Sequence, residues 1–223
     1  MSKDILEKGA ILQRDKETFA IAPHIPGGII DPAGLRRIAD VAEKYNAKAL
    51  KITSAQRIAI VGIDPKDIDA AWNDLGMKTG AAIGLCVRSI KICPGTTFCK
   101  RGQQDSVGIG LKLDQIYHGM QLPWKFKIGV SGCANSCAEP AVKDIGLIGM
   151  SKGWRLLVGG SSGVKPRLGL MLADNLSDEA ALSMIERIIN YYKEHAKKQR
   201  LGEFIEEIGF EKFKQEILGQ TAT

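Results

Sequence analysis

Cys93-Pro94-Gly95-Thr96-Thr97-Phe98-Cys99 and Cys133-Ala134-Asn135-Ser136-Cys137 hold four of the five cysteines in this 223-residue chain. Five residues separate the first pair and three the second. Two close pairs of thiolates are the donor set that an iron–sulfur cubane requires. Pro94 and Gly95 force a turn after Cys93 that folds Cys99 back toward the same point. The spacing of Cys133 and Cys137 suits one face of a helical turn, with Cβ atoms about 5–6 Å apart. Gly129, Gly132 and Ala134 leave room for a bulky group against the backbone. A zinc ion held by four cysteines is the competing reading, although zinc pairs usually enclose about two to four residues. Disulfides are a third. Cys86, in Ile83-Gly84-Leu85-Cys86-Val87, reads as a core residue.

The rest of the composition narrows the setting. Apolar residues make up 44% and charged residues 25%, as in an ordinary globular chain. No apolar run reaches the roughly 18–20 residues of a membrane span. The first residues, Met-Ser-Lys-Asp-Ile-Leu-Glu-Lys-Gly, carry charges where a signal peptide needs an apolar segment. A cytoplasmic location is the expectation, and there clustered thiols serve as ligands or catalysts rather than disulfides. The net charge of +6 suits an anionic substrate or an acidic partner. Nucleic acid is disfavoured, because the basic residues are spread along the chain and no binding motif accompanies them.

Upstream of the cysteines the pattern is β-β-α-β-β-α, a small α+β sandwich over residues 1–76. Two short strands flank Arg14-Asp15-Lys16-Glu17. Asp31-Pro32 starts a helix with Leu35, Ile38, Ala42 and Tyr45 at helical spacing. Residues 48–53 and 57–62 form a hairpin. Asp64-Pro65 starts a second helix, which Gly76 ends. The second domain covers 77–223. Strands are expected at Ile128–Ser131, Ile145–Met150, Trp154–Val158 and Arg167–Met171, the last two around Gly159-Gly160-Ser161-Ser162-Gly163. A helix is expected from about Phe98 toward Tyr117. Ser177 caps another, with Ala181, Ile185, Ile188 and Tyr192 as its apolar stripe. A last helix covers roughly 203–218.

Cys-x5-Cys, then Leu-Pro-Trp-Lys125-Phe-Lys127, then Gly-Cys133-Ala-Asn-Ser-Cys137 resembles the sirohaem-dependent sulfite and nitrite reductases. The likeness is to their small single-module assimilatory type. It implies a ferredoxin-like half-domain followed by a sirohaem and [4Fe–4S] domain. It implies that Cys93, Cys99, Cys133 and Cys137 hold the cluster and that Cys137 bridges it to the sirohaem iron. Lys125, Lys127 and Arg88 match substrate-facing positions. Thr53-Ser54-Ala55-Gln56-Arg57 resembles a stretch carrying another arginine, but Ala55 stands at that position. Arg57, two residues on, shares its side if this is a strand. Candidate partners for the carboxylates of sirohaem are Arg88, Lys100, Arg101, Lys165, Arg167, Gln56 and Asn135.

The implied chemistry suits these residue types. A small oxyanion in a dry pocket needs neutralising side chains, and lysines crowded by positive charge release protons readily. Each residue also has a plainer reading. Lys125 and Lys127 alternate with Phe126 as a solvated strand face would. Lys100-Arg101 suits a helix surface, and Lys165 with Arg167 a solvated turn. His24, His118 and His195 lie outside any ligand spacing. No G-x-G-x-x-G follows a strand, so the expected electron source is a separate donor such as an acidic ferredoxin. The resemblance also suggests a homodimer whose copies complete each other's pocket. Alternatives are nitrite in place of sulfite, a haem-free electron carrier, and a zinc-stabilised binding module.

Overall fold

The structure, a computed structural model, describes residues 3–219. It has two compact units that meet in sequence at Gly84 and Leu85.

The first unit contains β1 (Ile11–Leu12), β2 (Phe19–Ile21), α1 (Pro32–Lys44), β3 (Ala49–Ile52), β4 (Ile58–Ile63) and α2 (Ile68–Leu75). The strands form an antiparallel sheet in the order β1-β2-β4-β3. Asp31 begins α1 by accepting the Gly34 N–H at 2.6 Å. Gly76 ends α2 with φ +56°, a left-handed conformation that favours glycine. Ile38, Val41 and Ala42 face the core with Ile21, Ile60, Ile63, Ile68 and Leu75. Leu35, expected in that stripe, is 47% exposed. The stretch 53–57 is a hairpin loop rather than a strand. Thr53 N–H donates to the Arg57 carbonyl at 2.8 Å, and Gln56 has φ +58°. Alternation therefore does not relate Ala55 to Arg57.

The second unit contains β5 (Val87–Ile92), α3 (Gly95–Phe98), α4 (Ser106–Tyr117), β6 (Phe126–Ser131), β7 (Ile145–Met150), β8 (Gly153–Val158), β9 (Leu170–Leu176), α5 (Asp178–His195), α6 (Leu201–Ile208) and α7 (Phe210–Gly219). Its sheet runs β5-β6-β7-β8-β9. The first three strands are parallel and the last two antiparallel to their neighbours. α4 carries the crossover from β5 to β6, and its Ile109 and Leu113 enter the core. The stripe of α5 is buried as expected: Ala181, Ile185, Ile188 and Tyr192 are all at 0% exposure. Each isoleucine contributes roughly 1.5–3 kcal/mol through that burial.

Three expectations for this unit are corrected, and β5 is a strand that the sequence pattern does not mark. The helix expected from Phe98 is interrupted, because Cys99 is extended (φ −118°, ψ 122°) and Asp105 caps a new start by accepting the Gly108 N–H at 3.0 Å. Gly108 serves this cap, since a Cβ there would lie 2.3 Å from Asp105 Oδ2. The last strand is Leu170–Leu176, with Arg167 outside it in an isolated bridge to Ser161. The final helix is two helices, broken at Gly209 with φ +87°. Among the described residues no helix is long and apolar enough to cross a membrane.

Candidate active site

The two cysteine pairs are far apart in sequence and adjacent in the fold because β5 and β6 are paired and parallel. Ile92 is opposite Val130. Both chains therefore leave the sheet at neighbouring carboxyl ends, the usual place for a ligand site in parallel sheets. Cys93 follows β5 directly, and its N–H donates to the Val130 carbonyl at 3.0 Å. α3 is a single turn that carries the chain to Cys99, whose N–H donates to the Gly95 carbonyl at 2.9 Å. Cys133 and Cys137 lie beyond the end of β6.

Cys133–Cys137 is not a helical turn. Ser136 N–H donates to the Cys133 carbonyl at 3.1 Å, and Ser136 then turns to φ +54°. The chain doubles back over one face of the sheet. Ala138 N–H donates to Ser131 Oγ at 2.9 Å. This return path explains Gly129. A Cβ there would meet Lys143 Cγ at 2.8 Å and the Ala138 carbonyl at 3.0 Å. Gly132 is filled in the same way, by the Gln104 carbonyl at 2.6 Å and Gly95 Cα at 2.7 Å. Gly129 and Gly132, expected to make room for a cofactor, make room for the chain itself, and Ala134 is exposed.

The donor set fits an iron–sulfur cluster by its chemistry. All four thiols are free; Cys93, Cys99 and Cys133 are partly exposed and Cys137 is exposed. Cys93 Sγ accepts the Gly132 N–H at 3.0 Å and lies 3.4 Å from Ser106 Oγ. An N–H aimed at sulfur, as from Gly132, stabilises a thiolate and tunes a cluster. Ser106 is fully buried, and its hydroxyl donates to the Cys93 carbonyl at 2.8 Å. Among the described residues, no three His, Cys, Asp or Glu side chains are grouped as ligands of one metal ion. Cys86 is buried at 3% exposure.

A cationic group lies at the other end of β5 and β6. Two residues of β5 (Val87 to Ser89) advance against one of β6 (Phe126 to Lys127), so Arg88 is the bulged residue. A bulge re-aims a side chain, here beside Lys127. Lys125 and Lys127 are half-buried. Burial holds the Lys127 ammonium below its ordinary pKa, and the charges of Lys143, Arg200 and Arg88 add to this while Asp144 opposes. Sequence reasoning missed Lys143, Asp144, Arg200, Lys91 and Glu139. Lys91 and Lys143 grip Glu139 at 2.9 and 3.0 Å, two residues after Cys137. Glu139 has φ +55°, and its two lysines hold its carboxyl down at about 2. No local pattern marks these residues; they meet only because the 133–143 segment folds back.

The other candidates are dispersed. Lys100, Arg101 and Asn135 are exposed near the cysteine turns. Arg167 is tied to Glu206 by hydrogen bonds of 2.6 and 2.8 Å, and Lys165 is exposed. Gln56 and Arg57 belong to the first unit, where they line a cavity of about 280 Å³ with Gly28, Ile30 and Thr53. Arg57 is only 6% exposed. His195 Nδ1 lies 2.9 Å from the Tyr191 carbonyl, and its ring stacks on Tyr191.

Comparison with known proteins agrees with this division. Residues 83–222 match the family described as the nitrite and sulphite reductase 4Fe-4S domain. Residues 11–78 match the nitrite/sulfite reductase ferredoxin-like half domain. The class is thus an iron–sulfur oxidoreductase with an α+β fold. The chain belongs to the nitrite and sulfite reductase family. It is 43% identical to an assimilatory-type sulfite reductase of Nitratidesulfovibrio vulgaris, over 95% of this chain and 98% of that one. It is 37% identical to a nitrite reductase [NAD(P)H] of Bacillus subtilis, over 90% of this chain but 25% of the relative. A dissimilatory sulfite reductase structure shares the fold at TM-score 0.79 and 18% identity, covering 92% of this chain and 70% of that one.

Proposed function

We propose that the protein is a sulfite reductase that converts sulfite to sulfide by a six-electron reduction. The observation that supports this is the pairing of β5 with β6, after whose carboxyl ends the two cysteine segments follow, in a chain that matches a named sulfite reductase over nearly its whole length. Cys93, Cys99, Cys133 and Cys137 would hold a [4Fe–4S] cluster, and Cys137 would also join it to a sirohaem. When bound, the pair would supply the electrons for reduction of the anion.

The protein's own residues bind the anion and supply protons. Arg88, Lys125 and Lys127 neutralise the two negative charges of sulfite in a partly dry setting, where fixed cations act more strongly than in water. Lys127 gives up its proton more readily than an exposed lysine, because burial and neighbouring cations disfavour its charged form. Lys100, Arg101 and Asn135 are proposed contacts for the substituents of sirohaem. Electrons come from a separate carrier such as a ferredoxin, and the net charge of +6 favours an acidic one.

A homodimer is part of this proposal. Lys127 and Ser131 are four residues apart on β6, about 13 Å along a strand, and Cys133 lies further on. That separation supports a pocket in which one copy's lysines face the other's cysteines. Nitrite reduction to ammonia is the second reading, supported by the likeness to nitrite reductases. The test is turnover of both anions by the reconstituted protein with a chemical one-electron donor. Higher kcat/KM for sulfite is expected. Preference for nitrite would transfer the assignment to that anion, and inactivity with both would overturn it.

A further inference from the structure

Asp144 is the most buried carboxylate near the cationic group, at 0% exposure. It stands immediately before β7, and the β6–β7 ladder begins one residue later with Ile128 opposite Ile145. Lys127 therefore falls just short of the ladder, and its N–H donates to Asp144 Oδ2 at 2.8 Å. The other side of the carboxylate is gripped by Arg200. Its Nε donates to Oδ1 at 3.1 Å, and a terminal guanidinium nitrogen donates to Oδ2. Arg200 is itself fixed at the start of α6, where its N–H donates to Glu203 Oε2 at 3.1 Å. The preceding turn is pinned by the Tyr192 hydroxyl, which donates to the Gln199 carbonyl.

A buried ion pair is weak evidence for stability, because desolvation offsets much of the attraction. What this pair does for the cationic group is hold the backbone amide of Lys127. We propose that Asp144, clamped by Arg200 from the C-terminal helical segment, is a positioning residue for Lys127. It fixes the start of β6 beside the Arg88 bulge, so that the Lys127 ammonium meets the anion in one geometry. This rests on the assignment of Lys127 to the anion site. Lys143, Arg88 and Arg200 are the cations around Lys127, and Asp144 is the balancing anion.

The test uses the reconstituted protein with Asp144→Ala, Asp144→Asn and Arg200→Lys, alone and combined with Lys127→Ala. Cofactor content, KM, kcat and hydrogen exchange of the Lys127 amide are measured. Asp144→Ala is expected to raise KM for the reduced anion about tenfold with a smaller change in kcat, and to speed exchange at Lys127. Asp144→Asn keeps an acceptor oxygen and Arg200→Lys keeps the charge, so both fall between; they serve if the alanine variant does not fold. In the Lys127→Ala background Asp144→Ala is expected to add nothing to KM. Wild-type KM in a fully loaded Asp144→Ala beside an impaired Lys127→Ala would overturn this proposal alone, as would full additivity. Wild-type KM in Lys127→Ala would overturn the Lys127 assignment and the positioning role with it.

Discussion

Gly132→Ala tests the packing that brings the two cysteine pairs together. Gly132 lies between Ser131 and Cys133, where the 95–106 segment crosses the end of β6. Its carbonyl accepts the N–H groups of Gln103 and Gln104 at 2.8 and 3.0 Å, and its own N–H donates to Cys93 Sγ. An added Cβ would sit 2.6 Å from the Gln104 carbonyl oxygen and 2.7 Å from Gly95 Cα. Ordinary contact begins near 3.4 Å, so the two segments must separate by about 0.8 Å. Both obstacles are backbone and cannot swing away as a side chain would. Overpacking of this kind costs about 1–3 kcal/mol, and the upper end is expected here. Gly163→Ala is the control, since no atom lies within 4 Å of its Cβ position. The assay is urea unfolding of both variants together with iron content after reconstitution. Gly132→Ala is expected to lose about 3 kcal/mol and much of its iron, with Gly163→Ala within about 0.5 kcal/mol of wild type. Wild-type stability and full iron in Gly132→Ala would refute the reasoning.

Three further outcomes are expected. Glu139 has a folded pKa of about 2 against an ordinary 4.5, so its contribution to stability is present above the ordinary value and is lost as pH falls through the folded one; Glu139→Gln should flatten that part of the acid-unfolding curve, and an unchanged curve would count against the lysine grip. Cys86→Ala should leave iron content at the wild-type level while Cys99→Ala lowers it, as read by iron and acid-labile sulfide analysis. Gly209→Ala should cost about 1 kcal/mol in urea unfolding, because φ +87° strains an L-residue there and no side chain blocks the added methyl.

The first unit was largely legible in the sequence because its signals are local. Asp31-Pro32, Asp64-Pro65 and Gly76 mark helix ends by their own side chains or conformational freedom. The cysteine motif was equally plain. What could not be read was the path between its halves. β5 carries Arg88 and Lys91 within a short apolar run, and its strand character depends on pairing with β6. The turn at Ser136 follows from the return of the chain over the sheet, which no i, i+4 spacing encodes. Alternation would put Ala55 and Arg57 on one side of a strand, yet Thr53 closes that stretch into a loop through its hydrogen bonds with Arg57. Asp144 and Arg200 are 56 residues apart, and only the tertiary fold joins them.

The central claim is that the four paired cysteines hold a [4Fe–4S] cluster joined to sirohaem. It is tested most directly by the visible spectrum of anaerobically purified protein, made in a host that synthesises sirohaem. Iron, acid-labile sulfide and extracted tetrapyrrole are quantified on the same sample. Haem bands that shift on adding sulfite, four cluster irons with matching sulfide, and one sirohaem per chain are expected. A colourless zinc protein, or a bare cluster without tetrapyrrole, would contradict it.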